Sequence, residues 1–254
     1  MNFKQSFAWW SFSNRGVEAP QLLKEAAKIG YQGVDLIDET LWPLAKDEGL
    51  QISAIAGHGT LTDGFNRKEN AARIEAELLA SIDKASKWAI PVLICFSGNR
   101  AGIDDKTALE NSVALLSKVA PAAKQASVTL SLELLNSRDH LDYQADNTAW
   151  GVQLCEAINS PAVALLYDVY HMQVMEGDLI RTIRKHHSHF AHYHTAGNPG
   201  RHLMDDNQEI YYPAIYRAIS ETGYSGFIAH EFIPTGDPIA ELKEAFLQCE
   251  KSVN

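Results

Sequence analysis

The segment Thr129–His171 reads TLSLELLNSRDHLDYQADNTAWGVQLCEAINSPAVALLYDVYH, and it contains two short apolar runs separated by a longer stretch with helical spacing. We predict strands over Thr129–Leu134 and Val163–Tyr167 and a helix near residues 146–158. A strand, a helix and a second strand in succession are typical of a parallel sheet covered by helices.

The same unit recurs along the whole chain. Strands are predicted at Gln5–Trp10, Gly33–Ile37, Gln51–Ala56, Val92–Phe96, Thr129–Leu134, Val163–Tyr167, Phe190–His194 and Phe227–Glu231. Helices are predicted near residues 18–29, 40–48, 67–88, 104–125, 146–158, 176–187, 212–222 and 238–251, with Gly30, Gly49 and Gly223 as stop signals. Eight units of roughly 32 residues indicate one closed (β/α)₈ TIM barrel spanning residues 1–254 as a single domain.

An open, doubly wound sheet is the alternative architecture. Such a sheet usually carries a G-x-G-x-x-G turn after its first strand, and the segment SFSNRGVEAP that follows the first strand here has none. The barrel is therefore favoured. In a barrel the active groups lie at the carboxyl ends of the strands, where the loops that lead into the helices meet.

The overall charge excludes several classes of protein. The chain has 22 Lys and Arg against 32 Asp and Glu, a formal net charge of −10. Binding to nucleic acid or to an anionic membrane needs a basic surface, so neither partner is expected. Three widely separated cysteines form no disulfide framework, and no long apolar run is present. We expect a soluble cytoplasmic protein that acts on a small molecule, with assembly into a homo-oligomer as an open alternative.

Four consecutive strands end in residues that can bind a divalent cation: Glu133, Asp168, His194 and Glu231. Because neighbouring strands lie about 4.8 Å apart, these side chains can converge on one point. Three carboxylates and one imidazole suit Mg²⁺, Mn²⁺ or Co²⁺ better than structural zinc. An acidic residue at a strand end can instead be a solvated turn residue or a helix N-cap. Glu133 and Glu231, however, follow strongly apolar runs, where an uncompensated carboxylate is costly.

Several motifs resemble one known family. The motifs are SGN after the fourth strand, ELLN after the fifth, YDVYHMQ after the sixth, HYHTAGNPGRH around the seventh and HEF at the eighth. They resemble the xylose-isomerase-like TIM-barrel superfamily and, within it, the hydroxypyruvate isomerase and 2-oxo-tetronate isomerase family. The resemblance implies that Glu133, Asp168, His194 and Glu231 bind a divalent metal. It also implies that Glu133 and Glu231 are catalytic and transfer the proton.

The resemblance implies an aldose–ketose type isomerase that acts on a small hydroxy-oxo acid through an enediolate. Hydroxypyruvate isomerases often carry Gln at the position of His194, whereas ketose 3-epimerases carry His. A ketose 3-epimerase with the same metal and glutamates is therefore the alternative. A repair endonuclease of the same superfamily would need further metal ligands and a basic groove. A sugar-binding barrel without catalysis is the remaining class.

Candidate substrate-binding residues surround the predicted ligands: His171, Arg201, His202, Asn136 and His58. The resemblance implies that His171 touches a substrate oxygen, although it could also cap a helix. Arg201 can pair with a substrate carboxylate or remain a solvated loop residue. We expect Asn136 to orient Glu133 and His58 to line the mouth; a structural role is the alternative for His58.

Other residues near the predicted ligands have less specific expectations. Trp9 and Trp10 can form an apolar wall of the pocket or fill the core. Alternation along the strands places His230 on the opposite face from Glu231 and His192 on the same face as His194, one layer deeper. The irregular stretch Thr195–Tyr211 exceeds the usual length of a connection, so it is either functional or disordered.

Overall fold

The computed structural model describes residues 2–253, which form a closed parallel barrel with the strand order β1 to β8. The strands are β1 Lys4–Ala8, β2 Gly33–Asp35, β3 Gln51–Ala56, β4 Val92–Cys95, β5 Thr129–Glu133, β6 Val163–Asp168, β7 Phe190–Thr195 and β8 Phe227–His230. The predicted (β/α)₈ fold is thereby confirmed.

Ten α-helices lie between and after the strands in the described chain. They are α1 Trp9–Phe12, α2 Ala19–Ile29, α3 Trp42–Asp47, α4 Ala71–Trp88, α5 Asp105–Gln125, α6 Thr148–Ile158, α7 Val169–Met175, α8 Leu179–His186, α9 Tyr212–Glu221 and α10 Pro238–Val253. Short 3₁₀ turns occur at Glu39–Leu41, Lys68–Asn70 and His187–His189. Among residues 2–253, every helix is too short or too polar to cross a lipid bilayer.

The chain groups into two compact units. One runs to Ser53 and includes Asp178–His187 and the chain from His192 onwards; the other comprises Ala54–Gly177 and Ser188–Ala191. Within the first unit β1 pairs with β2 and β8, and β7 pairs with β8. Within the second, β4 pairs with β3 and β5, and β5 pairs with β6. That the chain is a single domain stays a prediction.

Local signals in the sequence explain where several helices begin and end. The side chain of Asp104 accepts a hydrogen bond from the backbone N–H of Thr107 at the start of α5, and Asn147 does the same for Trp150 at the start of α6. Gly30 ends α2 with a φ of +120°, which a residue with a side chain rarely adopts. The predicted helix stops are therefore found where glycine is needed.

Two elements differ from the sequence prediction. Trp9 and Trp10 begin the short helix α1 instead of extending β1, because the pairing of β1 with β2 ends at Ala8 opposite Asp35. Beyond that point no neighbouring strand among residues 2–253 supplies backbone partners. Residues Val169–Met175 form the unpredicted helix α7, whose first turn is capped by the side chain of Asp168. Both differences place side chains directly at the carboxyl ends of strands.

The stretch Thr195–Tyr211 is an ordered loop held by its own contacts. The N–H of Gly197 donates to His202 O at 2.7 Å, and the N–H of Glu209 donates to Asn198 O at 2.8 Å. The hydroxyl of Tyr212, in α9, donates to Ala196 O at 2.7 Å. These bonds fix the loop beside the end of β7, which favours a functional role over disorder.

Candidate metal and catalytic site

The four predicted ligands occupy the ends of β5, β6, β7 and β8. Glu133 and Asp168 are the last residues of their strands, His194 is next to last in β7, and Glu231 directly follows β8. All four are buried, and their ligand atoms lie within 4.8 Å of one another. The described residues therefore include a cluster of acidic groups and histidine that could hold a metal ion; its use as a metal site stays a prediction.

The carboxylate of Glu231 is held from two sides. The indole N–H of Trp10 donates to Oε1 at 2.7 Å, and the guanidinium of Arg201 donates to Oε2. Arg201 also stacks on Trp10, with Cζ 5.3 Å from the ring centroid. His194 Nδ1 lies 3.0 Å from Glu231 Oε2. One carboxylate thus contacts an aromatic wall, a loop cation and a predicted metal ligand.

Backbone hydrogen bonds bring Arg201 to Glu231. The N–H of Glu231 donates to Thr195 O at 2.9 Å, and the N–H of Ile233 donates to Arg201 O at 2.7 Å. Arg201 has a φ of +57°, so the chain turns sharply here. His202 is exposed, and its Nδ1 lies 3.0 Å from Ile233 O, which anchors the loop to the segment after β8.

Electrostatics keep Glu231 ionised in spite of its burial. Burial alone raises the pKa of this carboxyl, but the adjacent His194 and Arg201, together with the indole N–H of Trp10, lower the pKa well below its ordinary range. The carboxylate is therefore charged at neutral pH. A charged carboxylate can accept a proton or bind a cation.

A second buried group beside His194 was not assigned a role from the sequence. Asp35, at the end of β2, accepts hydrogen bonds from the hydroxyls of Ser6, at 2.8 Å, and Ser53. Its Oδ2 lies 2.5 Å from His192 Nε2 and 3.3 Å from His194 Nε2. Burial raises the pKa of Asp35, but the two histidines lower it well below its usual range.

In the sequence, this group is visible only as an acidic residue at the end of a strand and as two histidines, two residues apart, on one face of another strand. His192 does lie beside His194 as predicted, with ring centroids 5.2 Å apart. Asp35, His192 and His194 also form a second set whose ligand atoms lie within 4.8 Å of one another.

In the other unit, Asp168 and His171 form a buried pair. Asp168 Oδ1 accepts from the backbone N–H of His171 at 3.1 Å, so the aspartate caps α7 while His171 turns its ring back toward it. His171 Nε2 lies 3.6 Å from Asp168 Oδ2. Asp168 therefore caps α7. The alternative role of His171, as a cap of the next helix, is not found, because α8 follows Asp178 and has no side-chain cap.

Asn136 contacts His171 rather than Glu133. Its backbone N–H donates to His171 Nδ1 at 3.0 Å, and its side-chain nitrogen lies 2.6 Å from the same atom. The side-chain oxygen accepts from the backbone N–H groups of Arg138 and Asp139. The prediction that Asn136 orients Glu133 by a hydrogen bond is wrong, because the tight turn at residues 136–139 directs the amide elsewhere. Since Nδ1 of His171 accepts a backbone proton, Nε2 carries the ring proton.

The predicted pocket residue His58 is buried and neutral. Its Nε2 accepts from the backbone N–H of Phe96 at 2.9 Å, and its ring packs against Phe65 and Phe96. Burial lowers the pKa of His58 to about 4. Its Nδ1 finds no hydrogen-bond partner within residues 2–253. One ring nitrogen of His58 is therefore bonded to the backbone, and the other has no hydrogen-bond partner among the described residues.

His230 lies away from this cluster, as alternation along β8 predicts. Thr195 Oγ1 lies 2.8 Å from His230 Nδ1, and His230 Nε2 lies 2.9 Å from Gln5 Oε1. The ring contacts the edges of Tyr31 and Tyr216. Burial lowers its pKa to about 3, so the imidazole is neutral. Its role is structural.

A comparison with known families agrees with the barrel fold. Residues 23–249 match the family described as the xylose isomerase-like TIM barrel. The chain belongs to this family. The resemblance inferred from the strand-end motifs is thereby confirmed.

Two relatives with curated names carry isomerase names. The 2-oxo-tetronate isomerase of Cupriavidus necator is 31% identical over 136 residues, which is 54% of this chain and 50% of that protein. The putative hydroxypyruvate isomerase of Danio rerio is 26% identical over 244 residues, 89% of this chain and 88% of that protein. Both names agree with the enzyme class that the sequence predicts.

Solved structures share the fold. A structure described as AP endonuclease, family 2, from Brucella melitensis superposes with a TM-score of 0.82 at 24% identity and covers 94% of this chain and 97% of its own. D-Psicose 3-epimerase from Clostridium cellulolyticum H10, solved with D-tagatose, has a TM-score of 0.79 at 18% identity and covers 98% of both chains. At these identities the likeness shows the barrel alone.

Proposed function

We propose that this protein is a divalent-metal-dependent isomerase of small hydroxy-oxo acids, of the hydroxypyruvate or 2-oxo-tetronate class. The observation that carries the proposal is the buried cluster of Glu133, Asp168, His194 and Glu231, whose ligand atoms all lie within 4.8 Å. Names of relatives support the substrate class. Mg²⁺, Mn²⁺ or Co²⁺ is the proposed cofactor, because oxygen ligands dominate the set.

The contacts of His194 fit a cation. Its Nε2 faces the ionised Asp35, so the ring proton belongs on that nitrogen and Nδ1 carries a lone pair. Nδ1 in turn faces a carboxylate oxygen of Glu231 at 3.0 Å. A cation near both atoms would have this nitrogen and this oxygen as ligands. A bound divalent cation would polarise the substrate carbonyl and stabilise negative charge on its oxygen.

The two glutamates would move the proton. One carboxylate removes the proton from the carbon that bears the hydroxyl, and the electron pair of that C–H bond forms the C=C bond of an enediolate while the carbonyl π pair moves to oxygen. A protonated carboxyl then gives its proton to the former carbonyl carbon, where the C=C pair forms the new C–H bond. The proton of the original hydroxyl passes to the new hydroxyl as the first oxygen becomes the carbonyl, and no oxidant is consumed. We assign this work to Glu133 and Glu231, without an order between them.

Positive charge at the mouth would select an anionic substrate. Three carboxylates and one divalent cation leave about −1 in the site, which disfavours a substrate carboxylate. Arg201 already lies at Glu231 with its guanidinium beside the cluster. We assign to it the recognition of the substrate carboxylate, and to His171 and His58 contacts with substrate oxygens. His202 is exposed and bonded to Ile233 O, so its proposed part is to hold the loop that carries Arg201.

The test is a panel of hydroxypyruvate, 2-oxo-tetronates and free ketohexoses, assayed with Mg²⁺, Mn²⁺ and Co²⁺ and after chelation. We expect isomerisation of the acids, loss on chelation, and exchange of a substrate C–H proton with D₂O seen by NMR. Activity confined to the ketohexoses would support the ketose 3-epimerase instead. If no substrate exchanges a C–H proton with D₂O, the result would support a sugar-binding barrel without catalysis.

Variants test the two glutamates separately. Glu133→Gln and Glu231→Gln should each lower turnover by about 10²–10⁴-fold, the usual contribution of a proton-transferring group. Glu110→Gln is the matched control, because Glu110 is an exposed glutamate on α5 paired only with Lys106 among described ion pairs. A Glu231→Gln enzyme with the turnover of the control would refute the assignment.

A further inference from the structure

Asp35 has a set of contacts that uses both of its oxygens. Oδ1 accepts from the hydroxyls of Ser6 and Ser53, and Oδ2 faces the Nε2 atoms of His192 and His194. All of these groups are buried. A buried carboxylate is costly unless the surrounding groups donate to it. Each Nε2 atom that faces Asp35 should therefore carry a proton.

This requirement decides which nitrogen of His194 can bind a cation. A neutral imidazole has one N–H and one lone pair, and the partner of the N–H sets which nitrogen is which. With Nε2–H directed at Asp35, the lone pair lies on Nδ1, the atom that is 3.0 Å from Glu231 Oε2. Carboxylates behind metal-binding histidines commonly set ring orientation in this way.

His192 completes the arrangement from the same strand face. Its Nε2 lies 2.5 Å from Asp35 Oδ2, while its own Nδ1 has no hydrogen-bond partner within the described chain. A buried polar atom without a partner lowers stability. An apolar side chain would avoid that loss, so the imidazole is best explained by what its Nε2 does for Asp35.

We propose that Asp35 and His192 are positioning residues that hold His194 in the Nε2–H tautomer and so present Nδ1 to the divalent cation. The inference rests on the proposed function, since it takes His194 to be a ligand of that cation. The alternative is a second cation held by Asp35, His192 and His194 themselves. Against it, Asp35 already has four donors around it, and a cation there would have to displace them.

The decisive variant is Asp35→Asn. An amide at this position can direct its NH₂ at His194 Nε2, which favours the opposite tautomer with the proton on Nδ1. We expect Mn²⁺ affinity, measured from the EPR signal of free Mn²⁺, to fall by about 10–100-fold. In the Mg²⁺-loaded protein, ¹⁵N NMR of labelled histidines should show Nε2–H for His194 in the wild type and Nδ1–H in the variant. Asp83→Asn, an exposed change on α4, is the control.

A second pair of variants tests His192 if Asp35→Asn folds poorly. Gln can direct its side-chain N–H roughly where His192 Nε2 lies, whereas Leu offers no donor. His192→Gln should bind Mn²⁺ within about threefold of the wild type, and His192→Leu should bind it about tenfold or more weakly. Thermal unfolding of both variants checks that they remain folded.

Several results would overturn the inference. They are a wild-type His194 with its proton on Nδ1, an unchanged tautomer and Mn²⁺ affinity in folded Asp35→Asn, or two equivalents of Mn²⁺ of which Asp35→Asn loses one. Failure of the proposed function looks different. In that case the wild type lacks isomerase activity, while the tautomers of His194 still differ between the wild type and Asp35→Asn.

Discussion

A substitution of Trp10 tests whether its hydrogen bond to Glu231 contributes to turnover. The change Trp10→Phe removes the indole N–H that donates to Glu231 Oε1 at 2.7 Å but keeps an aromatic ring on which Arg201 can stack. Apart from the smaller ring, the change removes this hydrogen bond. We expect a slower reaction, because the carboxylate is no longer held in one orientation.

The structure bounds the size of the effect. A hydrogen bond to a charged group is worth about 1.5–3 kcal/mol. Trp10 is 40% exposed, so water can replace part of the lost bond, and the lower end of that range applies. A loss of about 1.5 kcal/mol corresponds to roughly a tenfold fall in kcat. KM should stay within about twofold, since the ring and Arg201 remain.

The assay is steady-state isomerisation of the best substrate from the panel, with kcat and KM determined separately for the wild type and the variant. Trp42→Phe is the matched control. Trp42, a buried residue at the start of α3, donates its indole N–H to the backbone oxygen of Ile37 at 2.9 Å. The substitution should lower stability and leave kcat unchanged. Equal kcat values for Trp10→Phe and the wild type would refute the role of this bond.

Two further predictions follow from Arg201 and His230. Arg201→Gln should raise KM for an oxo-acid by about 10–100-fold, because at least one hydrogen bond between charged groups is lost. KM for a neutral ketose should change less than about threefold. Equal changes for the two substrates would mean that Arg201 acts on Glu231 alone. The neutral state of His230, with its pKa lowered to about 3, contributes stability that is complete above pH 6.5 and is lost as the pH falls toward 3, because only the unfolded chain takes up the proton. Urea unfolding should therefore show that His230→Gln loses about 2 kcal/mol less than the wild type between pH 7 and pH 5.

The fold could be predicted because its signal is repeated and local. Each strand is a short apolar run, and each helix has its own caps and stops, such as Asp104, Asn147 and Gly30. The sequence prediction misplaces an element where a strand ends because its neighbour in the sheet offers no further backbone partner. The local sequence does not show that end. Trp9 and Trp10 have strand-like side chains, yet β1 ends at Ala8 because β2 offers no further partner beyond Asp35.

The four candidate ligands could also be predicted, because a barrel turns regular spacing along the chain into proximity at one face. Glu133, Asp168, His194 and Glu231 are separated by one strand–helix unit each, so the closed order of the strands alone brings neighbouring ends together. What each ligand contacts next does not follow from spacing. The turn after β5 sends Asn136 to His171, and the backbone bonds of residues 195 and 201 bring Arg201 to Glu231.

Asp35 shows most clearly why such contacts escape sequence reasoning. It is 157 residues from His192 and 159 from His194, and as a lone acidic residue at the end of β2 it reads as a solvated turn residue or a helix N-cap. Only the barrel surrounds it with two serine hydroxyls and two imidazoles. In that setting the low pKa of the carboxyl is a consequence of the donors around it, and those donors are oriented by the carboxylate in return. The role of Asp35 depends on four partners that lie on other strands of the barrel. No single sequence motif therefore predicts it.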